Sequence, residues 1–215
     1  MPNPSTPRTQ PKSAPSAVER RNPVQHRSRE RLARILASAE ELIAANGSDR
    51  LKMAEVAALA GISIGSLYQY FPDKSAIIHA LAARYNAESR RCIVEALSPV
   101  SDFVALRRAF SGLMAEFYQL VRRGPVMRDI WAGMQADKAL AALQLNESRA
   151  MGAVLEETIA RCRPVADRAS LAISAFLLWD LGEAAVRLGI GAEAPTGAKI
   201  IEAYTRMALR EMDAI

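Results

Sequence analysis

The spacing of apolar residues divides the chain into a patternless start and a long succession of helical periods. Up to residue 24 no apolar repeat occurs, and Pro2, Pro4, Pro7, Pro11, Pro15 and Pro23 interrupt a Ser-, Thr- and Asn-containing stretch. Such a segment buries no core and is expected to be disordered. From about Arg27, Leu32, Ile35, Leu36, Ala39, Leu42 and Ile43 recur at helical spacing, and Asn46-Gly47 supplies a stop that tolerates left-handed backbone. A second helix is expected over about Met53–Ala60, with Met53, Val56, Ala57 and Ala60 on one narrow face. Gly61 breaks it, Ser63 is placed to cap a third helix over about Ile64–Tyr70, and Pro72 ends that one. Ala57 is small and Ile62 and Leu67 point inward, so the second and third helices can cross closely as a helix-turn-helix.

Six further helices follow by the same reasoning. They are expected over Lys74–Leu97 capped by Asp73, then 102–122, then 125–136, then a long one capped by Asp137 and running to Cys162, then 165–189 and 196–213. Gly189, Gly191 and Pro195 are expected to form the last loop. No strand alternation and no internal repeat occurs. The fold class is therefore all-α: an N-terminal three-helix helix-turn-helix unit followed by a helical C-terminal domain. The division expected is a disordered basic arm over 1–25, a helix-turn-helix domain over 26–73 and a helical domain over 74–215, with 74–97 connecting them.

Composition supports helix over sheet, since half of the 215 residues are apolar and only 6% aromatic. There is no run of about 18 apolar residues and no signal-peptide pattern, so a cytoplasmic protein without a membrane segment is expected. Cys92 and Cys162 lack metal spacing, and His26 and His79 lack partner ligands, so no metal or cofactor is expected. Charge changes the picture more. Residues 1–34 hold eight Lys/Arg against Glu19 and Glu30, a net +6, so the rest of the chain sums to −1 of the total +5. A basic block ahead of a helix-turn-helix points to a phosphate-bearing partner.

With these residues in view, the N-terminal part resembles the TetR family of transcriptional regulators. The resemblance rests on the Arg-rich start of the first helix, Gly47, the run Glu55–Ser63 (EVAALAGIS) and Gly65–Lys74 (GSLYQYFPDK), in which Tyr68, Phe71 and Lys74 keep a Tyr-x-x-Phe-x-x-Lys spacing. It implies a DNA-binding domain joined by the fourth helix to a ligand-binding and dimerisation domain. One position departs: the family usually has Thr or Ser capping the second helix, and Lys52 stands there. Lys accepts no N–H bond, a loss of about 1 kcal/mol, but it can reach a phosphate.

The third helix is the natural reader of base edges, with phosphate contacts setting its register. Gly65 allows close backbone approach, and Ser66 and Gln69 can hydrogen-bond base edges. The resemblance implies Tyr70 and Lys74 as the leading phosphate contacts, followed by Ser63 and Tyr68. Lys52, Arg27 and Arg29 can reach flanking phosphates. Phe71 reads as core. The expected partners are a near-palindromic double-stranded operator, a second copy of the chain docked through helices 165–189 and 196–213, and a small-molecule effector that releases a repressor from DNA. The effector site is expected among Phe110, Met114, Phe117, Tyr118, Met127, Trp131, Met134, Gln135, Trp179 and Glu183, where Met and aromatic residues favour an adaptable apolar pocket.

Two rival readings differ in kind. Gly61-Ile62-Ser63-Ile64-Gly65 matches the G-x-S-x-G nucleophile elbow, but a helix precedes it and the only downstream histidine, His79, lies sixteen residues on. That leaves no triad, and no enzyme is expected. The other rival is a helical adaptor whose basic arm binds polyanions without sequence choice. Its binding would vanish as salt rises, whereas a specific regulator keeps a strong preference for one site.

Overall fold

The computed structural model describes residues 17–133, 137–164 and 167–215, with side chains described from His26 onward except Ala132 and Gly133. Among the described residues there are nine α-helices and no strand: α1 (Ala17–Asn46), α2 (Met53–Leu59), α3 (Ile64–Tyr70), α4 (Lys74–Leu97), α5 (Phe103–Arg123), α6 (Pro125–Gly133), α7 (Lys138–Cys162), α8 (Arg168–Gly191) and α9 (Ala194–Ala214). A short 3-10 turn, Ser48–Arg50, separates α1 from α2.

Why the helices stop and start where they do is local chemistry. Asp73, Asp102, Asp137 and Asp167 each occupy an N-cap and accept backbone N–H bonds from the first turn that follows. Gly47 takes φ +83° and closes α1 by donating its N–H to Ile43 O at 2.8 Å. Gly61 takes φ +65° after α2, while Ile62 N bonds Ala57 O (3.0 Å) and Gly61 N bonds Ala58 O (3.2 Å). This is the paired bond pattern of a Schellman stop, and it turns the chain directly into α3.

Two expectations are corrected. Residues 17–24 were expected to be disordered, yet α1 begins at Ala17 and passes through Pro23. Ala17, Glu19, Arg20 and Arg21 are good helix formers, and a nucleated helix extends residue by residue despite one missing donor. Residues 1–16 lie outside the described residues. Gly189, Gly191 and Pro195 also do not make a loop: both glycines belong to α8 and Pro195 sits in the first turn of α9. Gly189 and Gly197 are needed for contact instead. A Cβ on Gly197 would strike Gly189 O and the Tyr118 hydroxyl, so α8 and α9 approach through bare backbone.

The core runs continuously from the small bundle into the large one. Ile35, Ala39, Val56, Ala57, Leu67 and Phe71 close the first three helices; Ile77 and Leu81 of α4 continue into Leu106, Phe110, Leu155, Ile159, Leu171 and Val186. Helix α8 is long and apolar enough to cross a membrane by length and composition. Here it packs against α5, α7 and α9, and a core helix satisfies the same criterion.

Candidate functional site: a nucleic-acid face and an apolar cleft

Helix α3 is held by its own cap and by one buried residue. Ser63 Oγ accepts from Ser66 N at 3.2 Å, and Leu67 is fully buried. The opposite side is open. Tyr68 is 52% exposed, Gln69 is exposed, and a Cβ built on Gly65 meets nothing within 4 Å. Ser66 and Tyr70 are half-buried at the edge of this face. The Tyr70 hydroxyl lies 3.4 Å from Ser28 Oγ, tying α3 to the exposed part of α1 that also carries Arg27 and Arg29. Lys74 donates from Nζ to Asp49 O at 2.9 Å, which holds its ammonium beside the 3-10 turn with two donors left over. Phe71 is buried, as expected.

Lys52 makes no cap, as its chemistry requires; its Nζ instead pairs with Glu55 Oε1 at 3.0 Å. Any phosphate approaching Lys52 competes with that carboxylate. Ile64, which the sequence reading left unassigned, stands 42% exposed next to Gly65. Its signal was available: an apolar residue at the start of α3 with no inward partner.

Behind this unit, α4, α5, α6 and Trp179 of α8 enclose an open cleft of about 860 Å³. Met114, Phe117, Met127 and Trp179, four of the candidates named from sequence, line it. Trp131 and Glu183 line an adjoining cavity of about 20 Å³, and Trp131 packs edge-on against Phe117, with ring centroids 5.4 Å apart. Phe110 and Tyr118 line neither space. Phe110 is fully buried in the core, and Tyr118 is spent on the α8–α9 glycine contact. Met134 and Gln135 lie outside the described residues. Sequence reasoning missed the α4 wall, Tyr85, Ser89, Cys92 and Ile93, because an amphipathic helix does not declare which neighbour its half-buried flank will meet.

The inner end of this region is polar. Glu183, 5% exposed, accepts from Gln144 Nε2 at 2.5 Å, Ser148 Oγ at 3.0 Å and Trp179 Nε1 at 3.1 Å. Burial pushes its carboxyl above the usual range, and the three donors oppose that shift. Glu147 is held by Arg90 of α4 through two nitrogens.

Two polar links connect the walls of the cleft to the helix-turn-helix unit, and a third ties α4 to α7. Tyr85 lines the cleft and donates its hydroxyl to Glu40 of α1, which also pairs with Arg84; burial first, then Glu40, pushes the Tyr85 phenol up to about 12. In α6, Met127 lines the cleft while Asp129 accepts from Ser48 N at 2.7 Å, capping the 3-10 turn beside α2. His79 of α4 lies 2.8 Å from the Asp137 carboxylate that caps α7, and this contact holds Asp137 below the usual carboxylate range. A shift in α4 or α6 therefore has direct polar routes to α1 and to the segment that carries α2 and α3.

Two family models match the chain. Residues 35–81 match that for bacterial regulatory proteins of the tetR family, and residues 105–214 match that for a tetracyclin repressor-like C-terminal domain. No curated protein matches. Among solved structures, a TetR-family transcriptional regulator from Streptomyces coelicolor is 25% identical with a TM-score of 0.63, over 86% of this chain and 98% of that one. RolR in complex with resorcinol is 20% identical with a TM-score of 0.59, over 88% and 95%. SmeT in complex with triclosan is 18% identical with a TM-score of 0.62, over 86% and 90%; likeness at these last two levels is likeness of fold.

Proposed function

Because the chain belongs to the TetR family of bacterial transcriptional regulators, we propose that it is a repressor released from a near-palindromic operator by a small molecule bound in the cleft. The observation that carries this reading is that α4 and α6 both wall the cleft and bond the unit that carries α3. Tyr85 and Met127 sit in its wall, while Glu40 and the Asp129–Ser48 bond lie against the bundle that carries α3. An effector that fits the cleft better in one arrangement of α4 and α6 shifts the population toward it.

In this reading residues 26–73 read DNA, residues 74–215 sense and dimerise, and 74–97 join them. Gln69 and Ser66 reach base edges, Ile64 meets a thymine methyl, and Ser63, Tyr68, Tyr70 and Lys74 take phosphates. Gly65 lets the backbone come close, and Lys52, Arg27 and Arg29 extend the contact outward. The second copy docks on α8 and α9. Ile173, Leu177, Leu181 and Leu188 of α8 and Met207 of α9 remain between 46% and 67% exposed, a broad apolar stripe that a partner would cover. Two reading helices then sit about 34–36 Å apart. RolR and SmeT carry resorcinol and triclosan in their complexes; a small aromatic effector suits a cleft walled by Phe117, Met114, Met127 and Trp179 here.

The test is a thermal-shift screen of small aromatic compounds followed by anisotropy on a labelled operator. A true effector raises Tm, weakens operator binding, and does both less well in Phe117→Ala. A compound that stabilises the protein through Phe117 yet leaves operator affinity unchanged contradicts the release mechanism.

A further inference from the structure

Among the described residues, two buried side-chain polar atoms lack a hydrogen-bond partner, Tyr118 Oη and Gln144 Oε1. They are not equivalent. Tyr118 lines neither the cleft nor the space beside it, whereas Gln144, 8% exposed, lines the 20 Å³ space at the inner end of the cleft. Ser89, Ile93, Phe117, Met127 and Trp179 line both spaces, so the small cavity is continuous in its walls with the large one.

The direction of the Gln144 amide is fixed by its neighbour. Its nitrogen faces Glu183 Oε2 at 2.5 Å, and the flipped amide would set two acceptors against each other there. The other buried polar groups there are satisfied, Glu183 by three donors and Glu147 by two nitrogens of Arg90; Asn86 and Ser89, which also line the space, are only half-buried. What remains is one buried acceptor at the closed end of an apolar cleft, and a buried acceptor left unmet costs free energy that an incoming donor recovers.

We propose that the effector is an apolar molecule carrying one hydrogen-bond donor, a hydroxyl or N–H group, which passes between Phe117, Met127 and Trp179 and is received by Gln144 Oε1. This rests on the reading of the cleft as the effector site. It adds that Gln144 is the group that selects within it. The apolar body supplies contact area, and the donor supplies the discrimination, because a ligand without one leaves Gln144 unpaired.

The experiment uses the full chain and three matched probes, 4-butylphenol, 4-butylanisole and butylbenzene, with binding measured by calorimetry. The phenol is expected to bind about tenfold or more tightly than both others. In Gln144→Leu that preference falls to about twofold or less, while the affinity of butylbenzene is kept. Because this variant strips a donor from Glu183, Gln144→Leu with Glu183→Leu removes both partners together and serves where the single variant does not fold. Butylbenzene is smaller than the phenol, so a preference produced by size alone would favour it. Equal binding of all three probes overturns the role of Gln144 and leaves the cleft reading standing; so does a phenol preference that survives in the variants. If none of the three binds, the cleft reading falls and the inference falls with it.

Discussion

The helix-turn-helix unit and the apolar cleft are built on opposite principles. Helix α3 is positioned by neighbours close in sequence: the Gly61 stop, the Ser63 cap and Leu67 all lie within seven residues. The cleft is assembled from Tyr85, Phe117, Met127 and Trp179, which span nearly a hundred residues on four helices. The first presents its working side chains to solvent from a rigid base. The second is walled by apolar side chains that also pack the helices together. A change in the reading unit can therefore abolish function at little cost in stability, whereas a change around the cleft affects both.

The glycines give the largest contrast. At Gly152 a Cβ would lie 2.7 Å from Phe176 Cα, with no flexible side chain to yield, so Gly152→Ala overpacks the α7–α8 contact and should cost about 1–3 kcal/mol in urea unfolding. At Gly65 a Cβ meets nothing, so Gly65→Ala should stabilise by about 0.5–1 kcal/mol while weakening operator binding. If Gly65→Ala leaves operator affinity intact, close backbone approach is not part of recognition.

Asp129→Ala tests the bridge between the two regions. It leaves Ser48 N without its acceptor and should cost about 1 kcal/mol. Its sharper effect should be on coupling: effector binding persists by calorimetry, while the effector-induced loss of operator affinity shrinks. A variant with full coupling would move the route to Tyr85 and Glu40.

The smallest effect expected is on pH dependence. Glu183 has a raised carboxyl pKa, so its contribution is full below its ordinary value of 4.5 and is lost as pH rises through the folded value. Wild type should therefore lose ground to Glu183→Gln as pH rises above about 4.5, read as a widening Tm difference. Asp137, held low by His79, has the opposite sign: its contribution is present above its ordinary value of 3.8 and is lost as pH falls. Asp137→Asn should therefore differ from wild type at neutral pH and converge with it in acid.

The same contrast explains what the sequence disclosed. The bounds of α3 and α4, the caps at Ser63, Asp73 and Asp137, and the inward turn of Leu67 and Phe71 were legible because each is set by residues within about one helical turn. The start of α1 was not, because residues 17–24 carry no apolar repeat to mark them as helix and end a proline-rich stretch that includes Pro23. The roles of Tyr118 and Gly189 were missed for another reason. A glycine between helical runs reads as a break, and only the α8–α9 crossing shows that it is a contact. Gln144 gave no periodic signal either. Its importance comes from Glu183, thirty-nine residues away, taking one end of its amide and leaving the other unpaired.

Everything proposed for this chain depends on α3 reading a specific DNA sequence. Selection of binding sites from a random duplex library, followed by titration across salt, tests it most directly. The expected result is enrichment of a near-palindrome with half-sites about one helical turn apart, and retention of that preference near physiological salt. Tyr70→Ala with Lys74→Ala should lower affinity for that site by about 100-fold and flatten the salt dependence. No enriched sequence, or binding that disappears for all sequences alike as salt rises, would contradict it and leave a basic helical adaptor in its place.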